Sequence, residues 1–303
     1  MINFFVKIYG NLRNYDTIPY WVLTPFRRFV RFFANIILPR YLLKNRNLIY
    51  KKNVDVIVSL TSFPARIDEV WQVVECMKRQ SYKPQKIILW LSKEQFNEKQ
   101  IPMSLKNRVD DIFEIRLVEG DIRSHKKYYY VSRDYPNSLV LLIDDDIYYP
   151  TDMIESLYNI HQENPLSVIC QYGYFMQYVE NNKLAPYKRW KQVDCDSTSS
   201  ALFLGSGGGT LFQPSLLYND LLNKNLFLKL TPQADDIWLN AMTKLANIPI
   251  YMIKPRLILP IKCKGKSITL SSENVDLGGN DKQLESVIKY YMNKIGVNPF
   301  AKG

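Results

Sequence analysis

The chain has 303 residues, of which 47% are hydrophobic, 12 are glycine and 16 are proline, and this composition excludes an intrinsically disordered chain. Its length allows one large domain or two. The net charge of +11 is concentrated in residues 1–53, which carry +9. A nucleic-acid enzyme would be expected to spread its basic residues around the chemical site, so no nucleic-acid partner is expected.

The N-terminal segment, residues 1–53, is aromatic as well as basic. Between Phe26 and Leu38 apolar residues recur at helical spacing, while arginines and Asn35 take the other side. Such a helix is typical of a membrane interface, where each basic residue near anionic lipid contributes roughly 1 kcal/mol. We expect residues 1–45 to bind an anionic membrane surface. The alternative is a helix that packs on the protein's own core with its arginines in water.

Three further features of the sequence indicate where the protein is located: its hydrophobic stretches, its N-terminus and its cysteines. No stretch reaches the roughly 18 uncharged apolar residues of a spanning helix, and the N-terminus does not resemble a secretory signal. The four cysteines include no CxxC pair, which fits reduced thiols. The sequence therefore predicts a cytoplasmic protein that is peripheral on the inner face of the cell membrane.

Strand-like and helix-like stretches alternate from residue 54 to residue 144. This order implies βαβ units and a mainly parallel, Rossmann-like sheet with right-handed crossovers, hence an α/β fold. The predicted strands are 54–60, 86–91, 113–118 and 138–143, and the predicted helices are 68–80 and 124–134.

Polar residues follow the first and fourth of these strands. Thr61, Ser62 and Arg66 can hold a nucleotide and its phosphates, although hydroxyls at a strand end usually cap the next helix. Three aspartates, 144–146, follow the fourth strand. Ligands gather at such strand ends, and a divalent ion bridging to a phosphate would compensate the repulsion between the carboxylates. The alternative is a solvated acidic turn that caps the helix after Pro150.

Lys126 and Lys127 lie on the helix that enters the aspartate strand. One of these lysines can reach a diphosphate if the helix begins near the carboxyl edge of the sheet. Paired lysines on a helix are more often solvated.

The second half of the chain is less regular. It contains a long polar loop, 181–206, and a loop of this length in a compact domain is more often functional than accidental. Strands are predicted at 166–170, within 171–179 and at 249–253, and helices at 215–224, 234–246 and 283–294.

Two motifs in this half are candidates for chemistry. The glycine cluster from Gly205 to Thr210 either admits a bulky ligand to the backbone or serves as a hinge, and it is not a Walker loop. Asp235 and Asp236 open a predicted helix. Acids in a first helical turn are favoured by the helix dipole, but a second carboxylate pair also suits a general base.

The ordered combination of Ser-Leu-Thr-Ser-Phe-Pro, the aspartate triplet, Gly-Gly-Gly and Ala-Asp-Asp-Ile-Trp resembles GT-A-fold glycosyltransferases. The resemblance is to the family-2-like group found in bacterial capsule, O-antigen and lipooligosaccharide assembly, and it covers roughly residues 54–260. It implies a segment, 54–150, that binds the nucleotide sugar and a segment, 151–303, that binds the acceptor. Residues 1–53 lie outside it.

The resemblance also implies roles for individual residues. Asp144 to Asp146 match the DxD motif, with Asp146 and Asp144 at a divalent metal, Mn²⁺ or Mg²⁺. Asp236 matches the base that deprotonates the acceptor hydroxyl, with Asp235 as the second choice. The nucleotide-sugar contacts would come from Thr61, Ser62, Phe63, Arg66, Lys127, Asp144 and Asp145, and the contacts to donor sugar and acceptor from Gly207, Gly208, Gly209 and Trp238.

The sequence departs from the family pattern at one position. Many members place a histidine near the C-terminal end of the fold as a further metal ligand, whereas no histidine follows His161 here. Lys262, Lys264 or water would then occupy that space.

The expected activity is inverting, metal-assisted transfer of a sugar from a uridine-linked donor to a hydroxyl of a surface glycan or a lipid-linked glycan. A membrane-bound partner protein that binds a nucleotide sugar or glycan without catalysis is the first alternative. A nucleotidyl- or phosphotransferase is the second, although the phosphate-loop signatures are missing.

Overall fold

The computed structural model describes residues 1–12, 18–44, 48–253, 257–263 and 278–302. Lys264, one of the residues expected to replace the missing histidine, lies outside these ranges. The helices of the described residues are α1 (Ile2–Asn11), α2 (Tyr20–Leu42), α3 (Val70–Lys78), α4 (Met103–Lys106), α5 (Lys126–Asp134), α6 (Met153–Glu163), α7 (Lys224–Leu230), α8 (Asp235–Leu245) and α9 (Gly279–Ile295).

Strands of the described residues form a seven-stranded sheet and a three-stranded sheet. The large sheet has the order β10-β5-β9-β4-β1-β2-β3 and is parallel except for β9, which runs antiparallel to both neighbours. The small sheet has the order β7-β6-β8 and is antiparallel. The strands are β1 (Lys52–Thr61), β2 (Tyr82–Ser92), β3 (Phe113–Val118), β4 (Leu139–Ile143), β5 (Val168–Cys170), β6 (Gly173–Phe175), β7 (Lys191–Gln192), β8 (Leu202–Leu204), β9 (Gly208–Phe212) and β10 (Ile250–Met252).

The large sheet is covered on both faces, which explains the continuous apolar runs of β1 and β4. One face packs against α1, α2, α3 and α6 through residues such as Leu38, Val73 and Leu157. The other face packs against α5, α7, α8 and α9 through residues such as Val131 and Trp238. The prediction of an α/β fold with a mostly parallel central sheet flanked by helices is confirmed.

Two predicted elements of the second half are wrong. Segment 181–206 is not wholly a loop, because it contains β7 and β8, which pair with β6. These strands have two and three residues, too few to show a period of two. Residues 215–224 form two 3₁₀ turns, Pro214–Leu216 and Asn219–Leu222, and the Asn223 side chain then caps α7 by accepting from the amide of Leu226.

Helix α2 has two apolar faces. The face that includes Ala34, Leu38 and Leu42 is buried in the core, as the alternative interpretation of this helix required. The phenylalanines that were expected to form the apolar face are largely exposed. None of the helices in the described part of the chain has the length and hydropathy of a membrane span. Eight exposed apolar residues of α1 and α2 are together called the exposed aromatic face: Phe4 and Ile8 of α1 and Trp21, Phe26, Phe29, Phe32, Phe33 and Ile36 of α2.

Candidate active site

The predicted nucleotide-binding segment and the aspartate triplet lie side by side. Strands β1 and β4 are parallel, with Ser59 opposite Leu142, so both strands end at the same edge of the sheet. Asp144 follows β4 directly, and Ser62 follows β1 directly. The carboxyl edge of the sheet therefore carries a concentration of acidic and hydroxyl groups, as expected for a ligand site of an α/β sheet.

Arg66 neutralises two of the three aspartates. Its Nη1 atom lies 2.9 Å from Oδ1 of Asp145 and 2.8 Å from Oδ2 of Asp146. The Ser62 hydroxyl donates to the other oxygen of Asp145 at 2.5 Å, and Asp145 is buried. Asp145 is thus held by protein groups on both oxygens, which fits a positioning role rather than the predicted contact with the nucleotide. These interactions also exclude a freely solvated acidic turn.

Lys127 joins the first acidic cluster to the second. Its ammonium group is 2.8 Å from Oδ1 of Asp144 and 3.0 Å from Oδ2 of Asp235. Lys127 is buried, and although burial alone would lower its pKa, the charges of Asp144, Asp235 and Asp236 raise the pKa, so the group stays protonated. The two acidic motifs, separated by about ninety residues in the sequence, therefore meet at one cation.

Asp235 and Asp236 occupy the first turn of α8 and are held by Ser206. The Ser206 amide donates to Oδ1 of Asp236 and its hydroxyl to Oδ2 of Asp235, both at 2.7 Å. The Asn240 side chain clamps this arrangement by donating to the carbonyl oxygens of Leu204 and Asp236. The glycine segment and the start of α8 thus form one rigid unit.

The environments of the two acids push their proton affinities apart. Burial, and then the neighbouring charge of Asp235, raise the pKa of Asp236 to about 6. Burial would also raise the pKa of Asp235, but Lys127 and His125 lower it to about 2. A pair of this kind provides one permanently ionised carboxylate and one that takes up and releases a proton near neutral pH.

The three central glycines make room for other parts of the protein. A Cβ atom on Gly207 would lie 1.9 Å from the carboxylate of Asp144, and one on Gly208 would lie 2.1 Å from Cβ of Tyr172. Gly209 has φ +101°, a backbone conformation that other residues rarely adopt. Gly208 and Gly209 also belong to β9, a strand that the glycine-rich sequence did not predict. Close packing and backbone conformation therefore explain why these three positions are glycine, and a hinge is not needed to explain them.

We expect Gly207→Ala to lower catalytic activity at least about 100-fold, because the new methyl group must displace the carboxylate of Asp144. Steady-state turnover measures the effect. Gly296→Ala is the control, since Gly296 has φ +70° but no heavy atom of the described residues lies within 4 Å of the added Cβ. It should reduce stability through backbone strain and leave turnover unchanged. Equal turnover in both variants would contradict the close contact at Asp144.

The structure places the remaining predicted residues as follows. The Thr61 hydroxyl donates to the carbonyl of Trp90 at 2.8 Å, and the ring of Phe63 lies 5.3 Å from the guanidinium carbon of Arg66. Both residues belong to the aspartate edge. Trp238 does not, since it is fully buried and its indole N–H donates to the carbonyl of Leu221. The prediction that Trp238 contacts a sugar is wrong, because the helical periodicity of α8 directs this residue into the core.

Several residues near Asp236 were missed in the sequence. Ser206 lies inside the glycine cluster, whose interpretation as a ligand approach or a hinge gave the serine side chain no role. Tyr172 comes from the loop and Tyr174 from the strand before the predicted long loop, whereas Tyr187 comes from within that long loop. Burial, and among the further causes the charge of Asp236, raise the pKa of each phenol. No spacing or motif in one sequence shows which residues of a loop face a distant helix.

Asp144 and Asp146 have the donor chemistry for a hard divalent cation. Each uses one oxygen in an ion pair with Lys127 or Arg66. Burial, and then the charge of Asp145, raise the pKa of Asp146 to about 7. In the described part of the chain no three His, Cys, Asp or Glu side chains are grouped as a metal site. Mg²⁺ characteristically takes one or two carboxylates and completes its shell with water and substrate phosphates, so these two carboxylates fit it.

The amide of Lys262 donates to the side chain of Asn35 at 2.6 Å, and the placement of Lys262 in the space of the missing histidine stays a prediction. The segment that contains Lys262 runs beside the aspartates, since the amide of Ile261 donates to the carbonyl oxygen of Asp146 at 2.7 Å. Cys263 lies near Arg66, and burial raises the pKa of its thiol to about 11, so it remains a neutral thiol.

No protein-family model matches the chain, and no curated protein sequence matches it. Residues 1–349 of S. aureus TarS in complex with UDP-GlcNAc match its structure with a TM-score of 0.51 at 11% identity, covering 79% of this chain and 67% of that chain. The mannosyltransferase PcManGT from Pyrobaculum calidifontis, in complex with GDP-Man and Mn²⁺, gives a TM-score of 0.47 at 9% identity, covering 95% and 76% respectively. The similarity to TarS shows the fold, an α/β arrangement with a mostly parallel sheet that matches GT-A glycosyltransferases.

Proposed function

We propose that this protein is an inverting glycosyltransferase that moves a sugar from a nucleotide diphosphate sugar to a hydroxyl of a glycan or lipid-linked glycan. The observation that carries the proposal is the meeting of the two acidic clusters at Lys127, whose ammonium group contacts both Asp144 and Asp235. One cluster lies where α/β sheets bind nucleotides, and the other presents a carboxylate with a raised pKa. These are the two functions that sugar transfer from a nucleotide requires.

The donor is assigned to the edge formed by Thr61 to Arg66 and Asp144 to Asp146. The Nε atom of Arg66 is buried and has no hydrogen-bond partner among the described residues, and a ligand oxygen would satisfy it. The shared fold with TarS, whose structure contains UDP-GlcNAc, supports a uridine-linked donor. In this assignment residues 54–150 form the half that binds the nucleotide sugar.

A divalent cation held by Asp146 and Asp144 would offset the charge that develops on the leaving diphosphate. The ion pair with Lys127 holds the carboxylate of Asp144 in place for such a role. Arg66 keeps Asp145 and Asp146 in place and lowers the repulsion between them.

Asp236 is assigned as the general base. Its carboxylate is oriented by the Ser206 amide, and its raised pKa makes it a stronger base than a solvated aspartate. Asp235 is a much weaker base, because burial is outweighed by Lys127 and other neighbouring groups, which lower its pKa to about 2. Its Oδ2 atom is also occupied by Lys127 and the Ser206 hydroxyl. Removal of the acceptor proton by Asp236 would accompany attack from the face opposite the diphosphate, which inverts the configuration at the sugar carbon.

The rate of sugar transfer should depend on the ionisation of Asp236. Its folded-state pKa of about 6 lies above the ordinary 3.8, so the active carboxylate is lost as pH falls through 6. We expect kcat/KM to be constant above about pH 7 and to fall about tenfold per unit well below pH 6. A pH profile of kcat/KM, which reports the ionisation of the enzyme without substrate, measures this limb. A profile that is flat down to pH 4.5 would contradict the assignment of Asp236.

The assignment as a whole is tested by a screen of uridine and guanosine diphosphate sugars with Mn²⁺ or Mg²⁺. Thermal shift measures binding, and nucleotide release measures turnover. We expect at least one donor to stabilise the fold and to release nucleoside diphosphate, with loss of release in Asp146→Ala. Binding of a donor without release across a broad panel of hydroxyl acceptors would instead identify a non-catalytic binding protein. A sugar phosphate or phosphorylated product would identify a nucleotidyl- or phosphotransferase.

The exposed aromatic face is proposed to bind the surface of an anionic membrane, on the cytoplasmic side of the cell membrane. Soluble monomers rarely expose contiguous apolar patches of this kind, and phenylalanines in an interfacial helix insert their rings between lipids. Arg28, Arg31 and Arg40 are exposed on the same helix and complement the charge of anionic headgroups. This location would bring the enzyme to a lipid-linked acceptor.

Replacing Phe26, Phe29 and Phe32 together by glutamine should weaken binding to anionic liposomes about tenfold or more, because three exposed rings no longer leave water. Cosedimentation with vesicles of phosphatidylglycerol and phosphatidylcholine measures the effect. The control replaces three exposed apolar residues elsewhere, Met103, Val109 and Leu166, by glutamine. Equal loss in both triple variants, or in neither, would contradict the assignment of the aromatic face.

A further inference from the structure

Three half-buried tyrosines form a continuous set of rings and hydroxyls that adjoins the glycine segment through Tyr172. The hydroxyls of Tyr172 and Tyr174 lie 2.7 Å apart and are hydrogen-bonded, and their ring centroids are 5.6 Å apart in an edge-to-face arrangement. The ring of Tyr187 packs on Tyr174 with centroids 5.7 Å apart. We call Tyr172, Tyr174 and Tyr187 the tyrosine wall.

The tyrosine wall is rigidly mounted. Tyr174 belongs to β6, the central strand of the small sheet. The ring of Tyr187 lies 4.6 Å from Trp190 and 5.8 Å from Phe203, both of which are buried. The Tyr187 amide donates to the carboxylate of Asp281 in the first turn of α9 at 2.7 Å. Buried aromatic contacts and an anchored backbone hold these rings in place without a ligand.

The wall is tied to the proposed base through the glycine segment. The ring of Tyr172 lies against Gly205, where an added Cβ would be 2.5 Å from it, and Cβ of Tyr172 lies against Gly208. Ser206, between these glycines, donates its amide to Asp236. Burial first, and the charge of Asp236 among the other causes, raise the pKa of Tyr172, Tyr174 and Tyr187, so all three phenols remain neutral.

We propose that the tyrosine wall binds the acceptor, and that the acceptor presents its reacting hydroxyl on an uncharged pyranose ring. The inference rests on the proposed function and deepens it, since it names the chemical class of the acceptor and the residues that select it. The apolar C–H face of a pyranose packs on the electron-rich face of an aromatic ring. The neutral phenol hydroxyls donate to and accept from sugar hydroxyls. The same wall offers no charged group of its own to a phosphate or carboxylate.

The position of the wall assigns it to the acceptor rather than to the donor. The ring of Tyr172 packs on Gly205 and Gly208, which flank the serine that orients Asp236, whereas the donor edge is built around Arg66 and the aspartates after β4. A sugar ring on the wall therefore lies beside the carboxylate that removes its proton. Tyr187 comes from the segment after β6, so this segment would select the acceptor while the sheet edge selects the donor.

The test uses the full chain and three uncharged probes: methyl β-D-glucopyranoside, methyl β-D-galactopyranoside and methyl N-acetyl-β-D-glucosaminide. Saturation-transfer NMR measures their binding in the presence of UDP. We expect at least one glycoside to bind the unmodified protein. The Tyr187→Leu variant should bind it about 3- to 10-fold more weakly, the size expected for one lost ring contact, and Tyr187→Phe, which keeps the ring, should bind it more tightly than Tyr187→Leu does. Tyr290→Leu is the matched control, because Tyr290 is a half-buried tyrosine on α9 with Lys294 over its ring.

A second readout separates an acceptor site from a structural role. The thermal shift produced by the donor should be the same in Tyr187→Leu and the unmodified protein, because the donor is assigned to the other cluster. Equal loss of donor binding and glycoside binding would overturn the proposal, as would binding of none of the glycosides to a protein that hydrolyses its donor. Failure of the proposed function appears differently, as the absence of donor hydrolysis in the unmodified protein.

Discussion

Lys127→Met is expected to lower the free energy of unfolding by about 3 to 5 kcal/mol, the range for removing one partner of a buried ion pair. Lys127 is buried between Asp144 and Asp235, and methionine has a similar length but no charge. The variant leaves the carboxylates of both clusters without their shared cation. Urea denaturation at pH 7.5 measures the change as a shift of the midpoint.

Two comparisons make this prediction specific. Lys51→Met removes an ion pair with Glu155 of similar length, 2.9 Å, but the lysine side chain is 66% exposed, so we expect a far smaller change in the free energy of unfolding. The deficit of Lys127→Met should also shrink as pH falls towards 5, because carboxylates that have lost their cation can take up protons. A deficit no larger than that of Lys51→Met would show that Lys127 does not join the two clusters.

Asp236→Asn is expected to reduce kcat by about 10²- to 10⁴-fold, the range that a positioned general base contributes. The amide keeps the size of the side chain and an oxygen to accept from the Ser206 amide, so the arrangement of α8 should be preserved. Donor binding, measured by thermal shift, should remain within about twofold, because the donor is assigned to the other cluster.

Stability distinguishes this loss of activity from misfolding. The folded-state pKa of Asp236 is raised, so the folded protein binds its proton more tightly than the unfolded chain does, and burying the ionised form costs stability above about pH 6. Asparagine removes that cost. At pH 8 the melting temperature of Asp236→Asn without ligand should therefore equal or exceed that of the unmodified protein. A lower melting temperature together with lost activity would indicate a structural role for Asp236.

Much of the fold follows from local patterns in the sequence. The strands 113–118 and 138–143 and the helices around 70–78, 126–134 and 235–245 were predicted because each carries its own hydrophobic period or a bounded apolar run. Strand β9 was missed because Gly208 and Gly209 have low strand propensity, and it forms only because β4 and β5 pair with it on both sides. Tertiary pairing decided this element.

The residue types of the candidate site could be predicted from motifs, whereas the ion pairs between its residues could not. Asp144, Asp146 and Asp236 were chosen from motifs, and the structure brings their clusters together. That Lys127 connects the clusters, or that Arg66 pairs with Asp145 and Asp146, depends on distances between elements that are far apart in the chain. Likewise, Phe29 and Ala34 are both apolar residues of α2, yet one is exposed and the other is buried. Periodicity indicates that a face is apolar, and it does not show what covers that face.

In the proposed reaction Asp236 deprotonates the nucleophile while the diphosphate leaves from the opposite side of the sugar carbon. Without an acceptor, water takes the place of the sugar hydroxyl, so donor hydrolysis tests the same step. Proton NMR, recorded at high enzyme concentration before the anomers equilibrate, identifies the first sugar anomer released. We predict the configuration opposite to that of the donor, and release at least about 100-fold slower in Asp236→Asn. Release of the anomer that the donor carries, or equal rates in the two proteins, would contradict the account.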